Sequence, residues 1–129
     1  EREGMPWLSG GGCLITRDFL RMGLLFSRKG KGVMGRSVGS EKFINDTLLS
    51  QGPKYFEFSK DKFVYYANQT MKNGDWIGHS GYGGQFLMIN LKTNIVASFF
   101  SVLETESATN EEYKADMISM LDEIVTGNF

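Results

Sequence analysis

The residues best suited to chemistry in this sequence lie in one stretch, from Trp76 to Asn90. It contains His79, the only histidine of the chain, followed by Ser80, and it carries four of the 16 glycines. Glycine lets the backbone approach a ligand closely, and an imidazole can exchange protons with one. The stretch therefore predicts a wall of a binding site. The alternative interpretation, which composition alone favours, is a tight hairpin around a core histidine.

A second arrangement that could do chemistry is a nucleophilic dyad of Cys13 and His79. Cys13 is the only cysteine, and it lies among glycines and aliphatic residues, a setting typical of a small buried hydrophobe. One cysteine excludes an internal disulfide, and one cysteine with one histidine is too few for a structural zinc site. The sequence predicts no metal and no cofactor.

Three short patterns imitate known sites. The glycines of residues 78–84 suggest a phosphate loop, but such a loop precedes a helix, whereas an apolar strand pattern follows here. Ser59-x-x-Lys62 and Tyr66-x-Asn68 match motifs of serine acyl hydrolases. A serine that shares a face with its lysine three residues on requires a helix, and this region is predicted to precede a strand. We interpret both matches as coincidence.

Length and charge limit the class of protein. The chain has 129 residues, 41% of them hydrophobic, which fits one globular domain. A net charge of −1 without a basic stretch argues against nucleic acid as a partner. No apolar run has the length of a membrane span, so no membrane partner is predicted.

The first predicted helix runs from Arg17 to about Arg28. Thr16 is its predicted N-cap, Asp18 complements the dipole in the first turn, and Gly30 is its stop. The helix has little polar surface, so it is predicted to be largely buried. Its apolar residues are Phe19, Leu20, Met22, Leu24, Leu25 and Phe26.

A glycine-rich basic segment, residues 29–39, follows and is interpreted as a solvated connector. Ser40 is the predicted cap of a second helix, from Glu41 to about Ser50, which Gly52-Pro53 ends. The residues predicted to face inward are Phe43, Ile44, Leu48 and Leu49.

From Tyr55 the pattern changes to that of strands, with aromatic and β-branched residues. Asn73-Gly74 is a strong hairpin signal, and residues 92–94 form a second turn. The pattern predicts an antiparallel meander of about four strands. Their predicted bounds are Phe63–Ala67, Trp76–Tyr82, Phe86–Leu91 and Ile95–Leu103.

The last element is a predicted amphipathic helix over residues 109–125. Thr109 and Glu112 form a capping box, and Gly127 is the stop. Its apolar face is predicted to pack on the sheet, because its polar face is too acidic for membrane binding. The fold class is therefore α+β, with helices covering an antiparallel sheet. The residues of that face are Tyr113, Met117, Met120, Leu121 and Ile124.

Three segments, taken in order, resemble the class C β-lactamase-related serine hydrolases, a family that includes penicillin-binding proteins, esterases and 6-aminohexanoate-dimer hydrolases. Trp76–Phe86 resembles the strand of the third motif, with His79-Ser80-Gly81 in place of Lys-Thr-Gly. Ser9–Met22 resembles the glycine-rich turn and helix of the family, with one residue fewer than its usual Thr-x-x-Asp. The helix over 109–125 resembles the C-terminal helix. The resemblance covers most of the chain but only the C-terminal part of the family fold.

The resemblance implies roles for individual residues. His79 takes the basic third-motif place, near the substrate carboxylate or the proton-transfer network. The backbone N–H of Tyr82 is the implied oxyanion donor, an interaction worth on the order of 3 kcal/mol in the transition state. Ser80, Gly81 and Gly83 are the implied substrate-binding residues, and Gly81 is small enough for substrate to lie against the strand.

In this family a serine attacks an acyl carbonyl, a lysine and a tyrosine manage the proton, and water releases the acyl group. No credible Ser-x-x-Lys helix is found in this sequence, so we expect the C-terminal portion of a larger hydrolase, inactive alone. Its substrate would be a small acyl compound: an ester, an amide or a β-lactam. The family usually acts outside the cytoplasm. Apolar surface left by a missing lobe predicts self-association, with residues 19–26 and the strand edges as candidates.

Two other functions compete with this one. The chain could be a self-sufficient binding module that uses the glycine-rich hairpin of residues 78–84 for recognition. It could also be a small independent enzyme based on Cys13 or His79.

Overall fold

A computed structural model describes residues 14–101 and 110–128. These residues confirm the α+β class: six strands among them form one antiparallel meander, in which each strand pairs with the next along the chain. The strands are β1 (Lys54–Ser59), β2 (Lys62–Ala67), β3 (Thr70–Asn73), β4 (Trp76–Ser80), β5 (Gln85–Asn90) and β6 (Val96–Phe100).

The sequence prediction missed β1 and β3. The register of β1 against β2 shifts twice, which breaks the alternation that marks a strand in a sequence. β3 has only four residues and is buried at its first three positions, so it too lacks alternation. The Asn73-Gly74 turn between β3 and β4 is confirmed, with Gly74 at φ 49°.

In the described part of the chain, three α-helices cover the sheet. They are α1 (Thr16–Ser27), α2 (Glu41–Leu49) and α3 (Glu111–Thr126). α3 packs on one side of the sheet, and α1 and α2 pack on the other. We call these sides the α3 face and the α1/α2 face.

The caps of the helices agree only partly with prediction. Ser40 caps α2, because its Oγ accepts the N–H of Phe43 at 3.1 Å. Gly127, at φ 81°, ends α3 as expected. The cap predicted at Thr16 is wrong, since Ile15 holds that position and makes no side-chain cap.

At the start of α3, the N-cap is Asn110, whose side chain accepts the N–H of Tyr113 at 3.0 Å. Thr109, the predicted capping residue, lies outside the described residues. Asparagine is as good an N-cap as threonine, so the sequence signal was misplaced by one residue.

The α3 face is a closed hydrophobic core. Trp76 is buried in it, and its Nε1 donates to Asp122 Oδ1 at 2.8 Å. Asp122, only 8% exposed, also accepts from Lys62 Nζ at 3.1 Å, so its buried carboxylate is paired. The other buried residues of this core are Phe58, Val64, Met71, Phe86, Met88, Ile118, Leu121 and Val125.

The α1/α2 face is less completely covered. Its buried residues are Ile44, Ile77, Leu87 and Ile89. The prediction that α1 is largely buried is wrong: Gly23 is its only buried residue, and its apolar side chains are half-buried. Gly23 allows the close approach of α1, since a Cβ there would lie 2.5 Å from Val96 Cγ1.

The inner side of α2 also differs from prediction. Ile44 is buried and Leu48 packs beside it, but Phe43 is 45% exposed and Leu49 is 81% exposed. Thr47 takes the buried place instead, because its hydroxyl donates to Phe43 O at 2.8 Å and accepts from Asn68 Nδ2 at 3.0 Å. A short polar residue with both partners available can replace a leucine there.

Lys72 holds the end of α2 to the sheet. It is only 8% exposed, and its Nζ donates to Leu48 O and, at 2.8 Å, to Ser50 O. A cation suits the negative end of a helix dipole. Burial lowers the pKa of this lysine below its usual value, since the charged form loses solvation.

Candidate functional site

β4 is paired unequally on its two sides. Pairing with β3 ends at Met71 and Gly78, whereas pairing with β5 continues to Ser80 and Phe86. The N–H of Gly81 then donates to Gln85 O at 2.7 Å. Among the described strands, only β5 therefore pairs with the last part of β4.

The hydrogen-bonding pattern shows which backbone groups face the unpaired side. Because Gly81 bonds to β5, the alternation of an antiparallel ladder turns the odd-numbered residues of β4 toward β5. Gly78 and Ser80 turn their N–H and C=O groups the other way. Gly78 is paired with Met71 of β3, whereas Ser80 has no partner in β3.

A cavity of about 330 Å³ opens beside this end of β4. The described residues that line it are Tyr55, Tyr66, Met71, His79 and Ser80. The rings of Tyr55 and Tyr66 lie 5.5 Å apart and form an aromatic side. The cavity is large enough for a small acyl group.

His79 and Ser80 approach this cavity differently, because neighbouring residues of a strand project to opposite faces. The His79 imidazole is 6.2 Å from the ring of Phe26 on α1, which places it on the α1/α2 face. Burial lowers its pKa below the usual value, so the ring is neutral at pH 7. Ser80 is exposed and projects to the α3 face.

The glycines after β4 have a structural role of their own. The side chain of Gln85 folds back over the turn, where its Oε1 accepts the N–H of Gly83 at 3.0 Å. A Cβ at Gly81 would lie 2.4 Å from that same oxygen, and one at Gly83 would lie 2.8 Å from Gln85 Nε2. A side chain at either position would displace the end of the Gln85 side chain, so these two glycines let Gln85 close over the turn.

The predicted site residues are only partly brought together. His79 and Ser80 line the cavity, while Gly81, Tyr82 and Gly83 lie in the adjoining turn. Tyr82 is 61% exposed. Cys13, the other candidate nucleophile, lies outside the described residues.

Three lining residues were missed by sequence reasoning: Tyr55, Tyr66 and Met71. Tyr66 belongs to the Tyr66-x-Asn68 match, which the sequence analysis interprets as coincidence. It pairs with Met71, which in turn pairs with Gly78, so three neighbouring strands bring it to the end of β4. That placement depends on β3, which the sequence did not reveal.

The Ser59-x-x-Lys62 match lies in a β-hairpin. Ser59 ends β1 and Lys62 begins β2, and the two residues are paired across the turn. The sequence analysis placed both residues before a strand, and the structure differs in placing Ser59 in a strand of its own. Lys62 Nζ bonds to Asp122, so it does not serve Ser59 as a base.

No group of three or more histidine, cysteine, aspartate or glutamate residues in residues 14–101 and 110–128 could hold a metal ion. In the same part of the chain, no helix combines the length and apolar character needed to cross a membrane.

A scan against protein-family models, a search of curated proteins and a search of solved structures each gave no match.

Proposed function

We propose that this chain is the C-terminal portion of a β-lactamase-related serine acyl hydrolase and supplies one side of its acyl-binding pocket. The observation that carries the proposal is the end of β4, where pairing with β3 stops at Gly78. There His79 and Ser80 border a cavity of about 330 Å³. A substrate in that cavity could lie against the strand as a partial strand partner would.

The direction of the backbone groups supports the proposal. The N–H and C=O of Ser80 turn away from β5, toward the side where β3 has ended. Tyr82 lies two residues further on, in the turn after β4, at the place where the family resemblance puts the oxyanion donor. A backbone donor at a fixed position needs little reorganisation in the transition state.

His79 is suited to a neutral role in this site. Its pKa is lowered by burial, so at pH 7 the imidazole can accept or donate a hydrogen bond without carrying charge. It would act on the proton-transfer network rather than as a fixed cation for a substrate carboxylate. Of the two roles that the resemblance implies for His79, we therefore propose the one in the proton-transfer network and not the one beside the substrate carboxylate.

The nucleophile and its base are assigned to a part of the protein outside this chain. The Ser59–Lys62 pair cannot supply them, because Lys62 is bound to Asp122. Exposed apolar side chains on the α1/α2 face, among them Leu49 and Val38, also suit a piece that packs against another lobe.

The test is active-site labelling of the source protein with a fluorophosphonate probe, followed by mass spectrometry of the labelled peptide. We expect the label on a serine of a Ser-x-x-Lys sequence outside these 129 residues, and no label on the isolated chain. Ser80→Ala in the source protein should slow labelling and leave its position unchanged. Ser59→Ala, the same change at an exposed serine beside the β1–β2 turn, is the matched control and should not slow it.

A label on a serine within this chain, or on Cys13, would overturn the proposal. Labelling of the isolated chain at the rate of the source protein would do the same, since it would show a complete site in these residues.

The alternative is a non-catalytic binding module that uses the glycine-rich hairpin of residues 78–84. The exposure of Tyr82 at that hairpin favours it, because exposed tyrosines are common at recognition surfaces. Tyr82→Ala separates the two functions. It should abolish recognition by such a module, whereas a donor role for the backbone N–H tolerates loss of the ring.

A further inference from the structure

The turn that follows β4 is a β-turn bound by one residue on both sides of its exposed tyrosine. The C=O of Gly81 accepts the N–H of Gly84 at 3.4 Å, so Tyr82 and Gly83 are the two central residues. Gln85, the first residue of β5, accepts the N–H of Gly81 with its main-chain oxygen at 2.7 Å. Its side-chain Oε1 accepts the N–H of Gly83 at 3.0 Å. Both neighbours of Tyr82 are therefore hydrogen-bonded to Gln85.

The last residue of the turn is held by different groups. The oxygen of Gly84 accepts the N–H of Ser101 at 3.2 Å and the hydroxyl of the same serine at 3.1 Å. Because that hydroxyl has only one proton, the Tyr113 hydroxyl, 2.5 Å away, is the donor of the bond between the two side chains. The ring of Tyr113 packs on Phe86 in the core of the α3 face. Gly84 is therefore fixed independently of the Gln85 amide.

We propose that the amide of Gln85 is a positioning group for the N–H of Tyr82, the oxyanion donor of the proposed function, on which this inference rests. A donor contributes most when it already points to the place where negative charge develops. Gln85 touches neither the substrate nor the reacting atoms in this role. It acts through the turn, by holding the peptide plane next to that of the donor.

Without this side chain the turn would be poorly fixed. Three of its four residues are glycine, which permits many backbone conformations. Its own bond, from the N–H of Gly84 to the oxygen of Gly81, is long at 3.4 Å and therefore weak. The N–H of Tyr82 lies in the same peptide plane as that oxygen, so any rotation of this plane redirects the donor. The bond from Gly83 to Gln85 limits the rotation.

A neutral amide suits this place better than the other side chains of similar length. A carboxylate could accept the same N–H, but its charge would oppose a negative charge developing nearby. An apolar side chain would leave the N–H of Gly83 without this acceptor. Glutamine supplies a long, neutral acceptor, and Gly81 and Gly83 leave the space in which it lies.

The test compares Gln85→Met, Tyr82→Pro and the double variant in the source protein. Gln85→Met keeps the length of the side chain and removes the acceptor. Labelling by a saturating fluorophosphonate should then slow by roughly 10-fold to 10²-fold, as expected for a displaced donor. The probe concentration that gives half the maximal rate should change less than about twofold, because the donor acts in the transition state.

The double variant separates positioning from a general structural role. Once Tyr82→Pro has removed the donor, Gln85→Met should slow labelling further by less than about twofold, because nothing is left to position. A structural role would give losses that multiply. Gln51→Met is the matched control, since it makes the same change at an exposed glutamine that does not line the cavity, and it should not slow labelling.

Amide exchange of the source protein, labelled with [15N]glycine, measures the turn itself. In Gln85→Met the N–H of Gly83 should exchange at least about tenfold faster, because its acceptor is gone. The N–H of Gly81, which bonds to the main chain of residue 85, is the internal control and should stay protected. If Gln85→Met fails to fold, Gln85→Ala, which truncates a half-buried side chain, replaces it with the same expectations.

The outcomes distinguish this inference from the proposed function. Slower labelling in Tyr82→Pro but not in Gln85→Met would overturn the positioning role and leave the proposed function standing. Unchanged exchange at Gly83 in Gln85→Met, or losses that multiply in the double variant, would do the same. If neither single variant slows labelling, Tyr82 is not a donor, and the proposed oxyanion role and this inference fail together.

Discussion

The two faces of the sheet differ in how completely their apolar side chains are buried. On the α3 face, residues from five strands and one helix form a continuous buried cluster, and its one buried carboxylate is paired twice. On the α1/α2 face, the buried cluster is smaller, and the apolar side chains of α1 are only half-buried. The buried hydroxyl of Ser98 has no hydrogen-bond partner within the described residues.

This difference separates two properties of the molecule. The α3 face contributes more to the stability of the sheet than the α1/α2 face, because it contains more of the fully buried apolar side chains. The α1/α2 face retains apolar groups that a further surface could cover. The candidate site lies where the two meet, since Ser80 projects to one face and His79 to the other.

The sharpest test of this comparison is the same substitution at two helical leucines. Leu121→Ala on the α3 face should lower the free energy of unfolding by about 2–5 kcal/mol, because it leaves a cavity in a closed core. Leu49→Ala, at an 81% exposed position, should change it by no more than about 0.5 kcal/mol. Urea denaturation measures both, and similar losses for the two variants would break the comparison.

A second prediction concerns the paired carboxylate of the α3 face. Asp122→Ala should cost about 1–3 kcal/mol, because it leaves the buried indole N–H of Trp76 without its acceptor. Lys62→Met removes only the more exposed partner of Asp122 and should cost about 1 kcal/mol or less. A larger loss for Lys62→Met than for Asp122→Ala would contradict this reading of the network.

A third prediction tests how closely α1 packs on the less complete face. Gly23→Ala would bring a Cβ within 2.5 Å of Val96 and 2.9 Å of Leu87, both side-chain contacts. We expect a loss of about 1–3 kcal/mol from overpacking, in spite of the better helix propensity of alanine. A stabilised Gly23→Ala variant in thermal unfolding would show that α1 can move away from the sheet freely.

The smallest expected effect is the pH dependence that His79 contributes. Because its pKa is lower in the folded state, the unfolded state takes up a proton first as the pH falls below about 6.5. Stability should therefore decrease on acidification, by at most about 1.4 kcal/mol per pH unit from this one group.

The control for this prediction is His79→Gln, measured by urea unfolding between pH 7.5 and 5.5. Its stability should fall less steeply than that of the wild type over this range. Parallel pH profiles, or a wild type that gains stability on acidification, would contradict the burial of His79.

Local signals in the sequence predicted local structure well. Ser40 and Gly127 lie at helix ends because their own backbone and side-chain chemistry favours those positions. The Asn73-Gly74 turn is correct for the same reason. The α+β class followed from the change in periodicity along the chain.

Errors arose where distant contacts decide the outcome. Leu49 carries the right residue type for a core but lies on the exposed side of α2, while Thr47 is buried through its bonds to Phe43 and Asn68. The cavity shows the same limit, since Tyr66 reaches Ser80 only through the unpredicted β3.

The measurement that most directly tests the central claim, that the end of β4 is one side of an acyl site, compares two changes at Tyr82. In the source protein, Tyr82→Pro removes the backbone N–H, and Tyr82→Ala removes only the ring. The claim predicts that proline lowers the rate of fluorophosphonate acylation by roughly 10²–10³, as loss of an oxyanion donor does, while alanine changes it less than tenfold. Equal effects of the two substitutions, in variants that unfold at the same urea concentration, would contradict it.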